Sequence, residues 1–290
     1  MEYHDSRFMD HSIIVLDNSK WVAILPANCV DNKLYSHQGL TYGGLIYNEE
    51  LKLAAILLYF QAILEYLHVN RIEKLEIKSI PNIYHKKPSD EILYALFLCK
   101  GNLFRRDTLA VIDLKIEFVI DKSRFKGINR GFKNNLIVKE ETSFELFWNE
   151  ILIPNLATKH NTKPVHTLEE ITKLKKHFPN QIRQFNVYLS NEIVAGTTIF
   201  ESDKVAHSQY ISSDFNKNTY GCLDFLHYEL ITKYFKHKSF FDFGISNENQ
   251  GRKLNNGLSY WKESFGSNTI VQDFYEIDTQ NYHFLNNVIF

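Results

Sequence analysis

Three runs in the C-terminal half, QFNVYLS (184–190), EIVAGTTIF (192–200) and KVAHSQYIS (204–212), are rich in β-branched and aromatic residues and separated only by short polar links. Such runs predict an antiparallel meander. The polar loop SDFNKNTYG (213–221) follows, then an apolar helix from about Cys222 to Lys236 and the strand SFFDFGI (239–245). A short helix around 260–264 and the strand TIVQDFYEI (269–277) complete this half. The N-terminal half reads in the same order. SIIVL (12–16), WVAIL (21–25) and KLYSHQG (33–39) form a meander, LTYGGLIYNEE (40–50) a loop, and 51–69 an apolar helix. Strand KLEIKSI (74–80), helix SDEILYALFLC (89–99) and strand LAVIDLKIEF (109–118) come next.

A shared order of elements, with Thr-Tyr-Gly before the helix in each half, predicts two copies of one unit. The fold class expected is mixed α/β (α+β), each unit a mostly antiparallel twisted sheet flanked by helices. The boundary is placed near Leu136, giving units 1–136 and 137–290. Residues 122–182, mostly helical, bridge the copies and supply the second unit's opening helices.

Composition narrows the function. With 44% hydrophobic and 14% aromatic residues in 290, the chain can bury a substantial core. A formal charge of −1 gives no global attraction to nucleic acid or to an anionic membrane. The most apolar window, Leu53–Leu64, contains Gln61 and is flanked by Lys52 and Glu65, short of the roughly 20 residues a bilayer crossing needs. The N-terminal stretch MEYHDSRFMDHS has no apolar signal region, so a cytoplasmic location is expected. Cys29, Cys99 and Cys222 are widely separated and lack CxxC spacing, which argues against disulfides and against a zinc site.

The two Thr-Tyr-Gly loops differ as anion sites. A helix N-terminus presents unpaired N–H groups and the positive end of the helix dipole. Residues Asn216, Lys217, Asn218, Thr219, Tyr220 and Gly221 add a cation, small donors and a glycine, with Cys222 opening the helix. In the first copy, Asn48-Glu49-Glu50 is placed at the helix start, where carboxylates occupy the positive end themselves. Only the C-terminal unit is therefore expected to bind a phosphorylated cofactor.

The landmarks TYGGL (41–45), KHNTKPVHTLEEI (159–171), EIVAGTTIFESDKVAHSQYIS (192–212), FDFGISNENQGRKLNNGL (241–258) and KESFG (262–266) together resemble tandem GNAT (Gcn5-related N-acetyltransferase) units of FemAB-like proteins. The arrangement is most similar to bacterial acyltransferases that N-acylate nucleotide-linked amino sugars for surface polysaccharide, of the dTDP-3-amino-3,6-dideoxyhexose N-(3-hydroxybutyryl)transferase type. The resemblance implies acyl-CoA along Gln209, Tyr210, Ile211 and Ser212, with its pyrophosphate on loop 216–222 and its pantetheine arm near Gly244 and Ser246. The loop DFNKNTYGC departs from the family's Gly- and Arg/Gln-rich signature.

Acyl transfer from a thioester to an amine needs an unprotonated amine, a donor for the developing negative oxygen, and a proton for the leaving thiolate. The histidine candidates for the base are His166, His160 and His207. A backbone N–H at Tyr210 or Ile211 is the expected oxyanion donor, and the Tyr210 hydroxyl a sugar contact. Tyr42, Gly43 and Gly44 are expected to face the substrate, and Lys262 to meet a substrate phosphate. Asp242, between aromatics, reads as a structural hydrogen-bonding residue, and Cys222 as packing rather than an acyl carrier. The partners expected are small molecules, with no nucleic acid and no membrane, and a homodimer is possible. Two further classes stay open: an aminoacyl-tRNA-dependent transferase of the FemAB type, and a non-catalytic binding module.

Overall fold

The computed structural model describes residues 7–288, apart from the side chains of His160 and Lys217. The chain divides into two compact units. The first runs to Asp107 and takes back Asn249–Lys253 and the chain from Val271, while the second is Thr108–Glu248 with Leu254–Ile270. Residues 108–136 thus lie in the second unit. The C-terminal strand, expected to complete the second unit, returns to the first, where Phe274–Asp278 pairs antiparallel with Lys74–Lys78.

In the first unit, the helix Leu53–Val69 buries Ile56, Leu57, Phe60, Ile63, Leu64 and Leu67. That spacing is one helical stripe, and it packs in a core with Leu25, Leu34, Leu75 and Ile77. The helix connects Lys33–Tyr35 to Lys74–Lys78, and the two strands run parallel, with Lys33 opposite Lys74 and Tyr35 opposite Glu76. A separate antiparallel sheet holds Ile13–Asp17, Lys20–Leu25 and Ile46–Tyr47. Glu49 and Glu50 precede the helix, whose first turn carries no acid, and Glu49 meets Lys87 at 3.2 Å. The carboxylates therefore do not cap this helix, contrary to the sequence expectation.

The second unit repeats the plan. Ile182–Leu189, Glu192–Glu201 and Val205–Ser213 form the antiparallel meander, joined by Ile137–Glu141 on its outer side. Helix Cys222–Glu229, prolonged by the π-helical turn Leu230–Tyr234, leads to Phe240–Ile245, which pairs parallel with Val205–Ser213 and antiparallel with the chain ending at Asp113. The N-terminal meander expected from the sequence does not form, because Lys33–Tyr35 pairs with Asn28–Val30 and Lys74–Lys78 and not with Lys20–Leu25; what the two units share is a Thr-Tyr-Gly loop, a helix and a parallel strand in that order. Among the described residues, no helix is long and apolar enough to cross a membrane.

The second core surrounds the fully buried His227, whose ring stacks on Phe243 at 5.3 Å and meets Trp261 edge-on at 5.1 Å. Burial pushes its pKa down from 6.5 to about 4. The unfolded chain takes up a proton near pH 6.5 that the folded protein refuses until about 4. Its contribution to stability is complete above that window and is lost as pH falls through it, reaching about 3 kcal/mol at ~1.4 kcal/mol per pH unit. His227→Phe, which keeps the stacked ring, should lose less stability than the native chain between those pH values in denaturant melts. Equal losses would refute this account.

Candidate active site

The strands of the parallel pair in the second unit part company. Val205, Ala206 and His207 stand opposite Phe240, Phe241 and Asp242, and the ladder ends there. Past that point lie Ser208–Ser213 on one side and Phe243–Ile245 on the other. The Oγ atoms of Ser208 and Ser246 are buried and have no hydrogen-bond partner among the described residues. Gly244 adopts φ +73°, and a side chain on it would come within 3.2 Å of His207 Cε1 and 4.0 Å of the Ser208 carbonyl oxygen. In the first unit, the equivalent point is closed by the chain itself. Ser36 N–H donates to the Glu76 carbonyl, Lys78 N–H to Ser36 Oγ, and Gly43 N–H to the Lys78 carbonyl. This closure is made by main-chain groups and the Ser36 hydroxyl, with no part for Glu49 or Glu50.

At the end of the ladder, Asp242 is fully buried. One carboxylate oxygen accepts from the Gly244 N–H at 2.6 Å and the other lies 2.9 Å from His207 Nδ1. Lys262, on helix Asn256–Glu263, donates to the Gly244 carbonyl at 3.0 Å and to the Ile245 carbonyl at 2.5 Å. Burial pushes its pKa down to about 8, opposed by the Asp242 carboxylate. At 2% exposure, its ammonium holds the strand end and is not presented to a substrate phosphate.

A β-bulge at Gln209 separates the pairs Ile199/Ser208 and Thr198/Tyr210 and turns Tyr210 to the face opposite the His227 core. Tyr210 Oη accepts from the His166 backbone N–H at 3.1 Å and lies 2.6 Å from His166 Nδ1. Trp148 stands edge-on to Tyr210, with ring centres 5.1 Å apart. Phe200, opposite His207 in register, lies 6.1 Å from the His166 ring. Residues directly opposite in an antiparallel pair share a face. His207, His166 and Tyr210, three of the four catalytic candidates, therefore stand on one side of the sheet, and the side chain of His160 is outside the described set. Asn155 Nδ2 donates to Ser212 Oγ at 2.7 Å, while Ile211 lies half-buried beside it.

Sequence reading missed the polar row on this face. Thr198 Oγ1 donates to Gln184 Oε1, Gln184 Nε2 to Asn186 Oδ1, Asn186 Nδ2 to Tyr188 Oη, and Tyr188 Oη to Glu141. The signal was available: Gln184, Asn186 and Tyr188 recur at period two in a strand buried on both faces, where polar side chains need partners.

The loop before the helix differs from expectation. A single helical turn, Lys217–Tyr220, precedes the break at Gly221, and the Thr219 and Tyr220 amides return to the Asn216 carbonyl. Asn216 N–H is taken by Asp214 at 3.0 Å. Gly221 does not open the mouth: a side chain there would sit 2.1 Å from the Gly127 carbonyl oxygen of helix Lys122–Lys133. Cys222 is buried in the core with its thiol pushed up to about 12 by burial, which withholds a thiolate. Asn218 and Thr219 remain exposed at the start of the turn. Of the first-unit candidates, Tyr42 donates its hydroxyl to Tyr84, Gly43 packs on Ser36, and Gly44 sits at φ +107° near Ile77.

No protein-family model matches the chain, and no curated protein does. Solved structures match over nearly its whole length. FemX superposes with a TM-score of 0.64 at 11% identity, covering 96% of this chain and 90% of that one. The C-terminal domain of a putative lysylphosphatidylglycerol synthetase from Agrobacterium fabrum gives 0.63 at 11%, covering 92% and 83%. A tandem GNAT protein from the clavulanic acid biosynthesis pathway gives 0.50 at 9%, covering 92% and 82%. At these identities the likeness establishes the architecture: the chain has a mixed α+β fold of the tandem GNAT type.

Proposed function

We propose that the protein is an N-acyltransferase that moves an acyl group, acetyl or 3-hydroxybutyryl, from acyl-CoA to the amine of a nucleotide-linked amino sugar. The observation that carries this reading is the ended ladder of the second unit, bordered by two orphaned serine hydroxyls and closed over in the first unit. Ser208, Gly244 and Ser246 suit a pantetheine arm, whose amides need partners that a sheet edge provides. Gln209, Ile211 and Ser212 line the same strand, and exposed Asn218 and Thr219 mark the pyrophosphate end. When bound, acyl-CoA supplies an activated thioester carbonyl.

The chain's own residues supply the proton path. An amino-sugar amine titrates roughly like an α-amino group at about 8, so a modest base suffices. His207 Nδ1 is directed to Asp242, which supports Nε2 as the nitrogen that takes up the proton. The Tyr210 hydroxyl, accepting from His166 N–H, can donate to His166 Nδ1, coupling the second histidine to the same face.

The test is incubation with a panel of acyl-CoAs and nucleotide-linked amino sugars, read by free thiol and product mass. Asn218→Glu, which places a carboxylate at the start of the helical turn, should weaken acyl-CoA binding about tenfold in calorimetry without altering the melt. Unchanged binding would remove the loop from the site. A second reading, aminoacyl-tRNA-dependent transfer, is favoured by the higher TM-scores of FemX and of the lysylphosphatidylglycerol synthetase domain than of the tandem GNAT protein. Transfer stimulated by charged tRNA and indifferent to acyl-CoA would select it.

A further inference from the structure

Strand Ile13–Asp17 lies at one edge of the three-stranded sheet in the first unit. His11 N–H donates to the Ala27 carbonyl at 2.9 Å, and Ile13 and Val15 stand opposite Leu25 and Ala23. Main-chain groups alternate along a strand, so those of odd-numbered residues point inward and those of Ser12, Ile14 and Leu16 point to the open side. Asp10 takes the Ser12 amide at 3.1 Å, and no described residue meets the amide or carbonyl of Ile14. A groove follows this side, with His11–Leu16 on one wall and Ala62, Ile63 and Tyr66 of the helix on the other. Natural edge strands are usually blunted by lysine, proline or an outward bulge. This strand, IIVLD, has neither residue, and its irregularity lies against its inner neighbour. On its solvent face, Ile14, Ile24 and Ile46 form a row in register, beside Leu16 and a Trp21 that is 73% exposed.

We propose that this edge is the two-fold interface of a homodimer, in which Ile13–Asp17 pairs antiparallel with the same strand of a second copy, centred on Ile14. Ile14 then exchanges both main-chain hydrogen bonds with Ile14 of the second copy. Ile13 faces Val15, Ser12 faces Leu16, and His11 faces Asp17. That last pairing occurs twice by symmetry and sets a carboxylate against an imidazole each time. A slip by one residue would put Asp17 against Ser12 and turn the outward main-chain groups out of phase. The two sheets become one of six strands, and the isoleucine row runs across it without interruption. The inference does not depend on the acyl-transfer reading.

Sedimentation velocity on the full chain tests it, with dimers expected at micromolar concentration. His11→Asp should shift the chain to monomer, because carboxylates then face each other at both ends, and Asp17→Lys, which replaces the carboxylate opposite each imidazole with an ammonium, should weaken the dimer. An equimolar mixture of the two should restore dimers, since the introduced aspartate faces the introduced lysine. Ile14→Pro removes an outward N–H and breaks no hydrogen bond to Lys20–Leu25, so it should give folded monomers even if Asp17→Lys disturbs the turn. A monomeric native chain overturns the proposal, as does a mixture that stays monomeric. So does a monomer that instead binds a Ser-Ile-Ile-Val-Leu peptide, which would make the edge a peptide site.

Discussion

Gly221→Ala is expected to destabilise the second unit by at least about 3 kcal/mol in denaturant unfolding. Gly221 sits at φ +69°, where an L side chain is strained, and a methyl there would lie 2.1 Å from the Gly127 carbonyl oxygen. The backbone of helix Lys122–Lys133 cannot yield cheaply, because it is held to helix Cys222–Glu229 at two further points. Gly127 itself admits the Asp224 carboxylate and Gly131 admits the Phe225 ring, each closer than any side chain would allow. Asp224 in turn holds Arg124 at 2.6 Å and the Trp261 indole at 2.9 Å. Asn218→Ala, on the exposed turn three residues earlier, should change stability by less than about 0.5 kcal/mol. Near-native stability for Gly221→Ala would mean that the glycine serves ligand approach, as the loop suggests when read alone.

The contrast shows what the sequence could and could not reveal. Period-two apolar runs and the apolar stripe of Leu53–Val69 are local signals, and the corresponding strands and helices are found where those signals place them. A glycine before a helix is equally local, but what approaches it is not. Gly127 and Gly221 are 94 positions apart, and nothing in either segment announces the contact. The same limit hid the return of the chain from Val271 to the first unit, since TIVQDFYEI reads as a strand whichever partner it takes. For the site, His207, His166 and Tyr210 were recognisable as residue types, whereas their shared face depends on a bulge at Gln209 that no period shows. Lys262 reads from WKESFG as a cation for a substrate phosphate. Its burial follows from two carbonyls at the end of a distant strand.

Asp242 carries the other large effect, and two substitutions separate its structural role from its chemical one. Asp242→Ala leaves the Gly244 N–H and His207 Nδ1 without their buried acceptor and removes the carboxylate that favours the Lys262 ammonium. The expected loss is about 3 to 5 kcal/mol of stability, the range for breaking one side of a buried charged network. Asp242→Asn is milder, because the amide oxygen can still accept from Gly244. Its NH2 group, however, faces His207 Nδ1, which must then act as an acceptor, so the imidazole carries its hydrogen on Nε2. A histidine in that tautomer cannot take a proton at Nε2. If His207 is the base, Asp242→Asn should fold and bind acyl-CoA normally while turnover falls on the order of 10²-fold or more. His166→Ala should cost less. The reverse order, with Asp242→Asn active and His166→Ala inert, would move proton uptake to the His166 and Tyr210 pair and leave Asp242 with Lys262 as the clamp that holds the two strands apart.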